Sequence, residues 1–177
     1  MAKLNPGGNS LMYLTFYDGP EDDVANGIAV DASGAVYVTG GVCSGVDTGC
    51  TAVFYSLDEE GGNWRQFPTS IGYSAGLGLG VGNDIAVDAA GNVYVVGESH
   101  EAEADQPSDF PALSALQRTY GGGARDAFVL KFNMRSSSFV YSTFLGGTGG
   151  RFRQRYRLGR RRRCLLDRGY KFPRVPH

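Results

Sequence analysis

Residues 25–40 read ANGIAVDASGAVYVTG, and residues 82–97 read GNDIAVDAAGNVYVVG. The two stretches are identical at 11 of 16 positions and lie 57 residues apart. A second correspondence without gaps relates residues 3–19 to residues 131–147, at a spacing of 128. Self-similarity at a fixed spacing indicates an array of like structural units. A unit of almost 60 residues therefore recurs, and we expect the chain to begin partway through one.

Each copy of the repeated stretch has the pattern of two short strands joined by a tight turn. Apolar and β-branched residues lie on both sides of an Asp-x-x-Gly sequence, which is Asp31 to Gly34 in the first copy and Asp88 to Gly91 in the second. The aspartates can accept backbone N–H bonds across the turn, and the glycines can adopt a positive φ without steric cost. We therefore predict a structural role for these four residues.

Two further strands follow the second copy after a long excursion. Residues 127–132 (AFVLKF) and 139–144 (FVYSTF) are rich in aromatic and β-branched residues, and residues 133–138 can join them as a hairpin. Four antiparallel strands in a unit of this length match one blade of a β-propeller, whereas the rungs of a parallel β-helix are much shorter. The predicted fold class is all-β, a propeller-like array of four-stranded antiparallel blades in an incomplete ring.

Several segments carry a family resemblance. GNDIAVDAAGNVYVVG at 82–97, DFPALSALQRTYGGGARDAFVLKF at 109–132 and FVYSTFLGG at 139–147 resemble the SBBP-type bacterial β-propeller repeat. The resemblance is good over residues 3–40 and loose over residues 41–81. It implies a blade of a bacterial surface or exported protein, and it implies no catalytic residues.

The repeat spacing divides the chain into four parts. Residues 1–24 form a partial blade with its third and fourth strands, and residues 25–81 form a divergent blade. Residues 82–149 form a well-formed SBBP-like blade, and residues 150–177 form a basic, Arg-rich tail. The first ten residues lack the apolar stretch of a secretory signal, and no apolar run reaches the roughly 18 residues of a membrane span.

The tail differs from the rest of the chain in charge. Residues 151–177 contain 11 Lys and Arg and a single acidic residue, whereas residues 1–150 contain 6 Lys and Arg and 17 Asp and Glu. One codon choice, read one nucleotide out of frame, turns Gly150–Gly169 into DDFGSGIALDAAGDVYLTG, which matches residues 22–40 at 12 of 19 positions. We interpret the tail as an out-of-frame remnant of a further blade, with a genuine basic tail as the alternative. We expect it to be disordered, and to attract phosphate without recognising any specific nucleic acid.

Catalytic and metal-binding patterns are incomplete. Residues 72–76 match G-x-S-x-G, but the glycine-rich run that follows does not suit the helix which a nucleophile elbow requires. Acidic loops supply oxygen ligands of the type that Ca²⁺ prefers, although such carboxylates are usually solvated or cap backbone amides. We therefore expect no cofactor and keep Ca²⁺ only as an alternative, with these candidate ligands: Asp18, Glu21, Asp22, Asp23, Glu98, Glu101 and Asp105.

The cysteines and aromatic residues offer two more sites. Cys43 and Cys50 close a short loop without zinc-ligand spacing, and they can form a local disulfide if the compartment is oxidising. Tyr37 and Tyr94 recur at one strand position, which indicates packing. Trp64 lies in the divergent segment and is a candidate for a ligand contact.

These features predict a noncatalytic repeat scaffold or binding module of a bacterial surface or exported protein. Its partners would be neighbouring blades and a protein or glycan ligand, and its location would be extracellular or at the cell surface. The alternative is a fragment of a propeller-fold extracellular enzyme, a hydrolase or lyase, or of a carbohydrate-binding protein, because fold alone does not decide function.

Overall fold

The computed structural model describes residues 1–16, 23–43, 50–67, 80–100 and 110–148, together with two short strands at 156–158 and 164–166. This described part contains strands and no helix, so it holds no helical segment that could span a membrane. The strands are β1 (Ala2–Leu4), β2 (Leu11–Leu14), β3 (Asp23–Val30), β4 (Val36–Cys43), β5 (Cys50–Leu57), β6 (Arg65–Phe67), β7 (Gly80–Val87), β8 (Asn92–Ser99), β9 (Asp126–Asn133), β10 (Ser138–Leu145), β11 (Tyr156–Leu158) and β12 (Cys164–Leu166).

The described strands form two four-stranded sheets and two two-stranded hairpins. Strands β3 to β6 make one four-stranded antiparallel sheet, here called blade 1, and β7 to β10 make a second, blade 2. Strands β1 and β2 pair only with each other as the N-terminal hairpin, and β11 and β12 do so as the tail hairpin. The predicted all-β class with four-stranded antiparallel blades is confirmed.

The first strand of each blade carries a β-bulge at the same repeat position. The register shifts between Ala25 and Gly27 in β3, and between Gly82 and Asp84 in β7. A bulge leaves one residue out of the ladder and turns its side chain away from the pleat. In blade 1 that residue is Asn26, whose Nδ2 donates to the Gly82 carbonyl oxygen of blade 2 at 2.9 Å. The bulge therefore converts an ordinary strand position into a link between blades.

Blade 2 stacks on blade 1 through close backbone contact and a common aromatic core. Strand β7 lies against β3, β4 and β5. Phe54 of blade 1 stacks on Phe67 with ring centroids 5.2 Å apart, and its ring meets Phe132 of blade 2 edge-on at 5.5 Å. In blade 1, the repeat strands β3 and β4 and the divergent strands β5 and β6 all contribute side chains to this cluster. The two blades thus share one hydrophobic core.

The tail was expected to be disordered, and within its described residues that expectation is wrong. Strand β11 pairs with β12, and β11 lies against β7 and β8 of blade 2. The register joins Tyr156 to Leu166 and Leu158 to Cys164. The two strands are short runs in which apolar residues lie between or beside the arginines, and their backbones pair with each other.

Candidate functional site

The recurrent aspartates organise the turn between the first two strands of each blade. Asp88 Oδ1 accepts from the backbone N–H groups of Ala90 and Asn92, at 2.8 and 3.0 Å. Its Oδ2 accepts from Asn92 Nδ2 at 2.9 Å and from Tyr94 Oη at 3.0 Å. Gly91 completes the turn with φ of 78°, a conformation that suits glycine. The carboxylate is an acceptor for the turn and for the following strand.

The same arrangement recurs in blade 1. Asp31 accepts from the N–H groups of Ser33 and Ala35 at 2.9 and 3.1 Å, and from Tyr37 Oη at 3.0 Å. Gly34 has φ of 88°. Burial raises the pKa of Tyr37 to about 12, helped by its hydrogen bond to the Asp31 carboxylate. The tyrosines at the recurrent strand position thus anchor the turns through their hydroxyl groups.

Hydrogen bonding sets the ionisation of Asp88. Burial acts to raise the pKa of its carboxyl, but hydrogen bonds from Asn92, Tyr94 and Ala90 lower that pKa to about 2. The folded-state pKa therefore lies below the ordinary value of about 3.9 for an unfolded aspartate. The stabilisation is complete above the unfolded value and is lost as the pH falls through the folded value.

Acid should consequently remove the contribution of Asp88. We expect the unfolding free energy of the unaltered chain to exceed that of Asp88→Asn at pH 6 by about 1 kcal/mol or more. That difference should shrink between pH 4 and pH 2, because the unfolded carboxyl is then protonated while the native carboxylate is still ionised. Urea titrations of both chains at several pH values measure it. A difference that stays constant down to pH 2 would contradict this ionisation.

A groove lies beside blade 1. It has a volume of about 390 Å³, and its walls are β3, β4, Met1 and the aromatic pair Tyr55 and Trp64. The Trp64 ring meets the Tyr55 ring edge-on at 5.9 Å, and Trp64 Nε1 donates to Thr15 Oγ1 at 3.1 Å. The structure therefore places the sequence candidate Trp64 on a concave surface. Tyr55 belongs to the divergent segment, and no motif in the sequence singled it out.

The Ca²⁺ candidates are not brought together among the residues that the structure describes. Glu98 forms an ion pair with Arg125 and lies 4.0 Å from His100 Nε2. A hydrogen bond with His100 and the charge of Arg125 lower the pKa of Glu98. Asp23 lies at the start of β3 and lines the groove. In the described ranges no three His, Cys, Asp or Glu side chains group as metal ligands.

Other sequence candidates lie outside the described residues. They are the acidic side chains of Asp18, Glu21, Asp22, Glu101 and Asp105, and the G-x-S-x-G segment at 72–76.

Sequence reasoning missed a buried carboxylate in blade 2. Asp126, at the start of β9, is 1% exposed and accepts a hydrogen bond from the Gly121 N–H. A Cβ at Gly146 would collide with the Asp126 carboxylate, so the loop after β10 closes over it. The sequence signal for this buried carboxylate was the pair of glycine clusters at 121–123 and 146–147. Glycine allows the backbone to approach a side chain this closely. Asp126 therefore holds the loop before β9 and lies against the backbone that follows β10.

Cys43 and Cys50 form a disulfide. They are directly opposite each other at the ends of β4 and β5, and their sulfur atoms are bonded. The bond therefore closes the loop between two neighbouring strands of blade 1.

Thiol labelling tests this pairing in solution. The chain has three cysteines, so the denatured but unreduced protein should take up label at one position, Cys164. Reduction before labelling should raise the count to three, and Cys43→Ser should give two without reduction because it frees Cys50. Peptide mass spectrometry reads the positions. Three labelled thiols in protein from an oxidising compartment would contradict the disulfide.

The antiparallel blades, their common core and their repeated bulges define a β-propeller repeat domain. Residues 73–102 match the protein-family model described as SBBP, beta-propeller repeat, which covers β7 and β8 of blade 2. The chain therefore carries an SBBP β-propeller repeat. No curated protein matches the chain significantly.

Proposed function

We propose that the chain is a noncatalytic scaffold or binding module of a bacterial surface or exported protein. The observation that carries this proposal is that the recurrent polar side chains form hydrogen bonds within the blades and between them. Asp31 and Asp88 accept hydrogen bonds from their own turn and from a tyrosine of the following strand, and Asn26 bonds to the next blade. Groups committed in this way hold the array together and have little capacity left for proton transfer.

Ionisation supports the same conclusion. A general acid or base works best when its pKa lies near the working pH. The pKa of Asp88 is lowered to about 2, and that of Asp31 is also lowered, by hydrogen bonds that outweigh burial. Both carboxylates therefore stay ionised at neutral pH as fixed acceptors. This is the behaviour of structural groups.

The disulfide supports an exported location. Disulfides persist in oxidising compartments such as the periplasm and the cell surface, and they are rare in the reducing cytosol. The Cys43–Cys50 bond joins β4 to β5, the two central strands of blade 1, where the loop between them begins and ends. An exported repeat protein gains rigidity at such a loop without enlarging its core.

An activity screen tests the scaffold proposal. The purified chain is incubated with chromogenic glycosides, esters and polyuronides, which cover hydrolase and lyase chemistry, with and without millimolar Ca²⁺. We expect product formation no faster than with heat-denatured protein. Turnover that survives repurification and is lost in Trp64→Ala, a change in the groove, would overturn the noncatalytic role and favour the enzyme alternative.

One observation favours carbohydrate binding as a second candidate. The groove presents Tyr55, Trp64 and the Asp23 carboxylate together, and aromatic faces with a nearby acceptor suit sugar rings. Trp64 is the sole tryptophan, so its fluorescence reports on this groove alone. Titration with neutral oligosaccharides should shift that emission if a glycan binds there. Saturable binding in isothermal titration calorimetry, which needs no tryptophan, that Tyr55→Phe leaves intact and Trp64→Phe weakens would support this candidate.

A further inference from the structure

Asn26 links the two blades where their backbones lie close together. It is the bulged residue of β3, and its Nδ2 donates to the Gly82 carbonyl oxygen of β7 at 2.9 Å. A Cβ at Gly27 would lie 3.0 Å from the Asp84 Cα, and a Cβ at Gly82 would collide with Thr39 Oγ1. We call this contact of Asn26 and Gly27 with β7 the interblade joint. It has no room for added backbone atoms.

Asn26 also stands in a reactive sequence. The chain has seven asparagines, and Asn26 is the one that a glycine follows. Asparagine is thermolabile because the backbone nitrogen of the next residue can attack its side-chain carbonyl carbon. Glycine favours this attack, since it has no side chain to hinder it and permits backbone angles that other residues avoid. Asn83 is the counterpart of Asn26 at the bulge of β7, but Asp84 follows it, so Asn83 serves as the internal comparison.

The reaction that this sequence favours is deamidation. The Gly27 nitrogen bonds to Asn26 Cγ, its proton passes to the departing amide, and ammonia leaves a five-membered succinimide ring. Water then opens the ring at one of its two carbonyl carbons. Opening at one carbon gives aspartate. Opening at the other gives isoaspartate, in which the main chain runs through the former side chain. Water is the sole co-reactant.

The closed joint opposes formation of this ring. Gly27 pairs with Thr39 in the ladder between β3 and β4, which holds its nitrogen in an extended strand, and Gly82 holds the Asn26 amide. Thr39 is fully buried and donates to the Val53 carbonyl oxygen at 2.7 Å, so the neighbouring strand is fixed as well. Ring closure needs the strand to rotate and the amide to leave its acceptor. Both changes require a local opening of the structure.

Neither product restores the joint. The aspartate side chain is ionised at neutral pH and has acceptor oxygens alone, so it would face the Gly82 carbonyl oxygen without a donor. The isoaspartate product adds one carbon to the main chain just before Gly27, where the Asp84 Cα already lies close. Two facing acceptors cost more than the simple loss of a hydrogen bond. Deamidation therefore weakens the contact between the blades.

We propose that Asn26 is a deamidation site that reacts while the interblade joint is open, and that its products prevent the joint from closing again. The position combines a reactive sequence with a geometry that suppresses the reaction. A brief separation of the blades is thereby converted into a permanent one. The modified fraction of Asn26 consequently records how long the blades have been apart.

Peptide mass spectrometry of the whole chain tests the site and its protection. The chain is incubated at mildly alkaline pH, native or in urea, and digested briefly at acidic pH. In urea, Asn26 should deamidate at least about tenfold faster than Asn83, because Asp84 hinders the attack on Asn83. Asn26 should also react at least about tenfold faster in urea than in the native chain. Equal rates in the two states, or an Asn26 that does not react in urea, would overturn the proposal.

Two isoleucine variants test the link to opening of the joint. Ile85 is 4% exposed and its backbone nitrogen lies beside Gly27, whereas Ile28 is 60% exposed. Native Ile85→Ala should deamidate at Asn26 at least about tenfold faster than the unaltered chain, and the matched control Ile28→Ala should react at the unaltered rate. Equal acceleration by both variants would contradict gating by the joint. If Ile85→Ala does not fold, the comparison of native and urea-treated unaltered chain decides alone.

The effect of the product is measured with Asn26→Asp. Its melting temperature should fall by about 3 °C or more, because the link to Gly82 is replaced by two facing acceptors. Asn9→Asp makes the same chemical change in the exposed N-terminal turn, where the Asn9 Oδ1 accepts from Asn5 Nδ2 and aspartate keeps that acceptor. It should melt within about 1 °C of the unaltered chain. An Asn26→Asp chain that melts with Asn9→Asp would overturn the claim that deamidation opens the joint.

Discussion

Phe54→Ala is expected to remove about 3–5 kcal/mol of unfolding free energy, the largest loss of any single substitution considered. Phe54 is fully buried and contacts Phe67 in its own blade and Phe132 in the next. Truncation therefore leaves a cavity that neither blade can fill alone, because each is held by its own hydrogen-bonded ladder. Since a domain of this size is stable by only roughly 5–15 kcal/mol, this loss is a large fraction of its stability.

Phe16→Ala is the control for that measurement. It makes the same chemical change at a side chain that is 75% exposed, so the unfolding free energy should change by less than about 0.5 kcal/mol. Urea denaturation followed by circular dichroism compares the two variants with the unaltered chain. Equal losses for both would mean that Phe54 does not lie in a core that joins the blades.

Gly97→Ala should destabilise the chain by about 1–3 kcal/mol or more. Gly97 lies opposite the bulge of β7, and a Cβ there would collide with the Val81 carbonyl oxygen and approach the Phe128 ring at 2.6 Å. A backbone atom in a paired strand cannot move aside as a flexible side chain would. The bulge must therefore open, which also disturbs the side of blade 2 that packs on blade 1.

The glycine in the N-terminal turn provides the comparison. A Cβ at Gly7 would meet its nearest neighbour, Asn9 Oδ1, at 3.4 Å, an ordinary contact. Gly7→Ala should therefore be neutral or slightly stabilising, since it restricts the unfolded chain. Thermal unfolding of both variants gives the difference. A Gly97→Ala chain as stable as Gly7→Ala would show that β7 and β8 do not approach each other so closely.

Much of the fold could be predicted because the repeated stretch itself contains two paired strands and the turn that fixes their register. The stretch IAVD-x-x-G-x-VYV contains both strands and the turn, so β3, β4, β7 and β8 follow from local pattern alone, although each is longer in the structure than its apolar run. Strands β5 and β6 could not be placed in this way. Their segment diverges from the repeat, and the pairing of β5 with β4 and of β6 with β5 decides their position.

The candidate site was harder to predict from the sequence because its features depend on which blade lies next to each strand. Ile28 and Ile85 are the same residue in the same motif, and only the presence of a preceding blade separates an exposed side chain from a buried one. Asn26 reads as an ordinary polar residue until a bulge directs it to Gly82. The paired strands of the tail could not be predicted either, because the excess of arginine indicated disorder. Its short apolar runs nevertheless pair at the repeat spacing.

The central claim is that these blades stack at the repeat spacing, and the two isoleucines test it most directly. Ile85→Ala and Ile28→Ala are compared by urea unfolding, at a protein concentration where each chain sediments as a monomer. Ile85→Ala should lose about 2–5 kcal/mol, because blade 1 covers that side chain, and Ile28→Ala should lose less than about 1 kcal/mol. Equal losses at the two positions would contradict the stacked array.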